Sequence, residues 1–152
     1  MVERVLHHHD SKEAHMIKGL DHVTIIVKDL DAAVAQYEKI LGRVRRAPAA
    51  QPATPRVDPG FRGHVISFGT TNIELITPTN DYGPHARRLA ANGDGFYLVA
   101  LKVDNLRETV EELRAKGVRL AEDPGPGTEP IVGRVLIHPR AANGVMISLL
   151  ER

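Results

Sequence analysis

An imidazole, a carboxylate and a hydroxyl spaced along this 152-residue chain are its main chemical resources. His22 and Glu74 supply the first two, a pairing that general acid–base catalysis uses near neutral pH. A carboxylate beside the ring can fix its tautomer and leave the other nitrogen to move a proton, with His22 or Glu74 as the base. Ser148 supplies the hydroxyl. No nucleophile elbow surrounds it, so it reads as a hydrogen-bond donor to a ligand and not as a nucleophile. Asn72 is a second group that could steady an oxyanion. The chain has no cysteine, which excludes disulfides, thiolate metal sites and a thiol nucleophile. His7, His8, His9 and His15 form a histidine-rich stretch inside residues 1–18, where charge is frequent and hydrophobic periodicity weak. That stretch reads as a flexible tail, and metal bound there would say nothing of a site in the domain. His138, between an apolar run and Pro139, reads as a structural histidine at a strand end. Arg87, Arg88 and Arg140 could meet phosphates, although scattered arginines are ordinary on protein surfaces.

The elements that must position these groups follow from periodicity. Residues 21–28 (DHVTIIVK) alternate as a strand, and Asp29 or Asp31 caps a helix over 31–41 that Gly42 ends. A short strand at 43–46 leads into a Pro-rich loop over 47–60. Strands at 64–68 and 72–77 follow, then a short helix over 84–92 stopped by Gly93. The pattern then starts again: strand 97–103, helix 106–116, short strand 118–121, a Pro/Gly loop over 123–133, and strands 134–138 and 145–150. Val23, Val27, Leu30 and Val34 recur as Val99, Val103, Leu106 and Val110. Gly63-His64-Val65 recurs as Gly133-Arg134-Val135, and Ile73-Glu74-Leu75 as Ile147-Ser148-Leu149. Two copies of one βαβββ unit, over about 19–80 and 94–151, therefore make a single domain over 19–151. The predicted fold is α+β, a curved mixed sheet around a cleft with helices on its outer face.

Strand alternation sorts the side chains between the two faces. Helices must cover Val23, Ile25, Val27, Ile73, Leu75, Val99, Leu101, Val103, Val145, Ile147 and Leu149. The inner face then receives His22 and Thr24, Asn72 and Glu74, Leu98 and Ala100, Met146 and Ser148, and Phe96 lines the same half of the cleft as Met146, Leu98 and Ala100. Four positions are equivalent under the repeat: His22, Glu74, Leu98 and Ser148. The cleft is polar on its first-module side and apolar on its second, which suits a small amphipathic ligand carrying a carbonyl or carboxylate. Ligation by His64 would need a different strand orientation.

Composition narrows the partners. Lys and Arg number 20 against 19 Asp and Glu, so there is no charge excess to recruit nucleic acid or an anionic membrane. Aromatics are 4%, too few for base-stacking surfaces. No apolar run is long enough to span a membrane and no signal-peptide core opens the chain, so a cytoplasmic location is expected.

Two tandem βαβββ units resemble the vicinal oxygen chelate superfamily, which includes glyoxalase I, extradiol dioxygenases, bleomycin-resistance proteins and methylmalonyl-CoA epimerase. The pattern is most similar to the epimerase. The likeness rests on Asp21-His22-Val23, on Ile73-Glu74-Leu75-Ile76-Thr77-Pro78, and on Asn92-Gly93-Asp94-Gly95. Ile137-His138-Pro139-Arg140, leading to Gly144-Val145-Met146-Ile147, carries it further. It implies a divalent metal held by His on the first strand, Gln or Glu on the fourth, His on the fifth and Glu on the last, the last also serving as a proton-transfer base. His22 and Glu74 match this pattern. Leu98 and Ser148 stand where the second His and the last Glu belong, and Phe61-Arg62 stands where the epimerases carry Glu-Gln. An imidazole and a carboxylate alone hold Zn²⁺, Co²⁺ or Fe²⁺ weakly, since catalytic sites supply three protein ligands as a rule. No cofactor is therefore expected, with a metal on His22 and Glu74 as the lesser alternative. The function expected first is isomerase or lyase chemistry by metal-free proton transfer on a small carbonyl compound or acyl-CoA. A non-catalytic sequestering protein of the antibiotic-resistance type comes second, and a true metal-dependent epimerase third. The resemblance also implies a homodimer.

Overall fold

The computed structural model describes residues 17–42, 45–47, 60–68, 70–121 and 133–152. The histidine-rich stretch up to residue 16 and most of the two Pro/Gly loops lie outside the described residues. The first module holds β1 (Ile17–Ile26), α1 (Leu30–Leu41), β2 (Arg45–Ala47), β3 (Phe61–Phe68) and β4 (Thr71–Pro78). Helix α2 (Pro84–Asn92) connects it to β5 (Gly95–Val103), α3 (Leu106–Ala115), β6 (Leu120–Ala121), β7 (Arg134–Ile137) and β8 (Met146–Glu151). The eight strands among the described residues form one mixed sheet in the order β2-β3-β4-β1-β5-β8-β7-β6. The antiparallel β1–β5 pair joins the modules. Each module then adds a parallel partner, β4 on β1 and β8 on β5. This is the topology that two copies of βαβββ require.

The outer face is where the sequence's apolar alternation leads. Val27, Leu30, Val34, Ile66 and Leu75 bury each other beneath α1, with Ile25 and Ile73 packed beside them. Val103, Leu106, Val110, Leu120, Ile137 and Leu149 do the same beneath α3. Each such side chain contributes roughly 1.5–3 kcal/mol of transfer free energy when fully buried. Local caps fix where the helices begin. Asp29 accepts from the Ala32 N–H at 3.0 Å, and Asn105 accepts from the Glu108 N–H at 3.0 Å. Gly42, at φ 75°, ends α1 in a conformation that favours glycine.

Element bounds depart from expectation at the starts of β1 and β8. Strand β1 begins at Ile17, inside the stretch read as tail, because it pairs with β5 as far as Ile17–Val103. Lys18 secures that end, with Nζ 2.8 Å from Asp104. Val145 lies outside β8 and is largely exposed, since it follows the turn at Gly144 (φ 89°). Among the described residues, no helix is long and apolar enough to cross a membrane.

Candidate functional site

The inner face of β1 and β4 gathers four polar side chains. The parallel register sets His22 beside Asn72 and Thr24 beside Glu74. Glu74 Oε2 lies 3.3 Å from His22 Nε2 and accepts a 2.9 Å hydrogen bond from the Thr24 hydroxyl. Asn72 Nδ2 donates to the Asp21 carbonyl oxygen at 3.4 Å. The other imidazole nitrogen, Nδ1, is 2.6 Å from Asp21 Oδ2. Both ring nitrogens are thus engaged by carboxylates.

Asp21 reaches the ring through a backbone irregularity. Neighbours on a regular strand point to opposite faces, but the β1–β5 register shifts between Leu20 and His22. A shift of that kind re-aims a side chain. Asp21 is 5% exposed, and its other oxygen faces Arg152 Nε at 3.7 Å. A bulge leaves no mark in a single sequence, so Asp21 was missed as a site residue.

Electrostatics settle the resting charges. Burial alone would lower the His22 pKa. The hydrogen bonds and negative charges of Glu74 and Asp21 outweigh it and hold the ring above its ordinary range. Burial likewise works against the Glu74 carboxylate. The His22 contact, the Thr24 hydroxyl and the charge of Arg134 outweigh it and hold Glu74 below the usual carboxylate range. Both shifts favour the imidazolium–carboxylate form of the pair.

The second module supplies the other wall. Leu98 pairs with Thr24 across β1 and with Met146 across β8, and Ala100 pairs with Ser148. Leu98, Ala100 and Ser148 are buried. Phe96 stands apart: a second register shift between Thr24 and Ile25 pairs it with Ile25, and it is 46% exposed. His64 pairs with Leu75 and shares the helix-covered face, away from the polar cluster. His138 caps the short 3₁₀ turn Pro139–Ala141, its Nδ1 accepting from the Arg140 N–H at 3.1 Å. Arg87 and Arg88 donate to the carbonyls of Tyr82 and Phe96, each at 2.7 Å.

One further inner-face residue was misplaced by the repeat as read from sequence. Strand pairing makes Gly63, opposite Ile76, the counterpart of Arg134, opposite Leu150. Arg134 therefore stands on the inner row of β7, one position from where the alignment of Gly133-Arg134-Val135 with Gly63-His64-Val65 put it.

A tandem βαβββ sheet with a polar cluster on its inner face defines the class. The chain belongs to the Glyoxalase/Bleomycin resistance protein/Dioxygenase superfamily, whose family model matches residues 21–132. It is 33% identical over 140 residues to the ethylmalonyl-CoA/methylmalonyl-CoA epimerase of Cereibacter sphaeroides, covering 88% of this chain and 98% of that protein. The methylmalonyl-CoA epimerase of Mycobacterium tuberculosis superposes with a TM-score of 0.72 at 30% identity, over 90% of this chain and 89% of the other. The Streptomyces coelicolor epimerase, solved with 2-nitronate-propionyl-CoA, shares the fold at a TM-score of 0.70 and 24% identity, over 89% and 97%.

These relatives correct one expectation. No cofactor was expected, yet the relatives are methylmalonyl-CoA epimerases, the branch for which the resemblance implied a divalent metal. That expectation is withdrawn. The donors are a separate matter. His22 and Glu74 occupy two of the four implied positions, while Leu98 offers none and the Ser148 hydroxyl is a poor one at neutral pH. Among the described residues, no group of three or more His, Cys, Asp or Glu is placed to hold a metal ion. The residues present do not fit the four-ligand site.

Proposed function

We propose that this chain is an acyl-CoA isomerase that inverts a carbon next to the thioester carbonyl. The observation that carries this reading is the Glu74–His22 pair on the inner face, in a chain 33% identical to an ethylmalonyl-CoA/methylmalonyl-CoA epimerase. Glu74 takes the proton: the C–H bond breaks, an O–H bond forms on the carboxyl, and the electron pair passes to the carbonyl oxygen as an enolate. Ser148 and Asn72 are the hydroxyl and amide that steady that oxygen. Asp21 positions His22, whose positive charge keeps Glu74 ionised between turnovers. Return of a solvent proton to the opposite face of the enolate inverts the centre, and Glu74 releases the proton it took to solvent, which regenerates the carboxylate. A homodimer is part of the same reading, and sedimentation velocity should then give one species of twice the chain mass.

The test is deuterium incorporation at C2 of methylmalonyl-CoA in D₂O, read by mass spectrometry, with and without added Co²⁺ or Mn²⁺. Exchange above the protein-free rate is expected, falling about a hundredfold or more in Glu74→Gln. Exchange no faster than the protein-free rate under every metal condition would sink the reading. The buried apolar wall of Leu98 and Ala100 supports a second reading, a binding protein. Tight acyl-CoA binding without exchange would select it.

A further inference from the structure

Arg134 is the residue of the inner face that neither the resemblance nor the proton-transfer chemistry uses. Its placement follows from pairing alone. Val135 and Ile137 pair with Leu149 and Ile147 and pack on the core beneath α3. Arg134 and Leu136 therefore take the opposite row, beside Leu150 and Ser148. The counterpart in the first module is Gly63, so a long cationic side chain stands on one half of the cleft and no side chain on the other.

The charge of Arg134 acts across the cleft. Strand β7 lies four places from β4 in the sheet order, about 19 Å away if the sheet were flat. Arg134 nonetheless helps to keep Glu74 ionised. A sheet curved around its inner face, the shape two tandem βαβββ modules make in the fold this chain shares, turns the inner rows of β4 and β7 towards each other. Among the described residues, the charged groups gathered there are the carboxylates of Asp21 and Glu74, the His22 ring between them, Arg152 at 3.7 Å from Asp21, and Arg134. His22 is taken up by the carboxylates on either side of it. Removing Arg134 would take one positive charge from the cleft and make it less favourable to an anionic acyl group. A guanidinium has five N–H donors in a fork, enough to keep its contacts within the protein and still grip a carboxylate.

We propose that Arg134 is the residue that selects acyl groups bearing a free carboxylate, holding that carboxylate while the adjacent carbon faces Glu74. The proposal rests on the acyl-CoA reading above, and it makes Arg134 a specificity residue. Leu98, Ala100 and Met146 then receive the apolar part of the acyl group.

The test compares succinyl-CoA with butyryl-CoA, two thioesters of equal acyl chain length that differ by a terminal carboxylate. Calorimetric titration of the full chain should show succinyl-CoA binding at least about tenfold more tightly, one charge-assisted bidentate pair being worth that much or more. Arg134→Leu should abolish this preference by weakening succinyl-CoA binding, and should raise the KM for methylmalonyl-CoA more than it lowers kcat. Arg134→Lys should restore part of the preference. Circular dichroism checks folding, and Arg134→Gln replaces the leucine variant if that one unfolds. An unchanged preference in folded Arg134→Leu or Arg134→Gln overturns the proposal, even if wild-type exchange in D₂O is fast. An Arg134-dependent preference without any exchange leaves the anchor standing and removes the isomerase.

Discussion

Two opposed carboxylates hold His22 in place, and the consequences for pH follow from the direction of each shift. Desolvation opposes both charges, yet the contacts win: Glu74 titrates below its ordinary 4.5 and His22 above its ordinary 6.5. The carboxylate's contribution to stability is complete above pH 4.5 and is lost as pH falls through the depressed value in the fold. The imidazolium's contribution is complete below pH 6.5 and is lost as pH rises through the raised value in the fold. Both are present together only between those limits. Urea unfolding should therefore find wild type more stable than Glu74→Gln by about 1–3 kcal/mol within that window, the cost of leaving a partly buried partner unpaired. The gap should narrow on either side. A gap that stays flat from acid to alkali would mean that the pair does not couple as its geometry indicates. His22 and Glu74 could be found from sequence because each sits at a predictable parity on a strand. Asp21 could not, because a one-residue shift in β1 is decided by its pairing with β5 and leaves no mark in residue type.

At the scale of elements, short-range rules carried far. Strand alternation and helical spacing placed the strands and α-helices of the described residues, though not the 3₁₀ turn Pro139–Ala141, because one face of each longer element must meet the core and the period declares which. The ends were less legible. The start of β1 at Ile17 depends on a partner strand far along the chain. The choice of Asp29 over Asp31 as the α1 cap depends on which backbone turns extended, and Asp29 has φ −115° and ψ 102°. Arg134 marks the same limit. Matching glycines across the repeat put the register one residue off, and only the hydrogen-bonded ladder to β8 corrects it. The α3 cap offers a clean check of local energetics. Asn105 accepts from the Glu108 N–H through its side chain, and its own carbonyl accepts from the Thr109 hydroxyl at 2.7 Å. Asn105→Ala should cost about 1 kcal/mol by urea unfolding, whereas Asn105→Asp should cost little. A loss below a few tenths would show that packing of Leu106 and Val110, and not the cap, fixes the helix start.

Across the whole molecule, duplication built a sheet with two equivalent inner faces, and the residues on them have diverged. The first module keeps an imidazole and a carboxylate. The second places Leu98 and Ser148 at the equivalent positions and adds Arg134 on its inner row. If the four positions still converge as the duplicated fold requires, the missing donors can be put back. Leu98 lies across from Thr24, which bonds Glu74, and Ser148 lies beside Ala100, which pairs with His22. Leu98→His with Ser148→Glu would complete two imidazoles and two carboxylates around one point. Calorimetric titration with Co²⁺ should then show a new site at least about a hundredfold tighter than in wild type, since each added charged or imidazole ligand is worth several kcal/mol of metal binding. The histidine-rich stretch near the N-terminus contributes equally to both proteins, so the difference between them reports on the cleft. His22→Ala placed on top of the double variant should remove the gain. No gain in a folded double variant would mean that the two inner rows have drifted apart, and that the second module's wall was reshaped around a ligand and not merely stripped of donors.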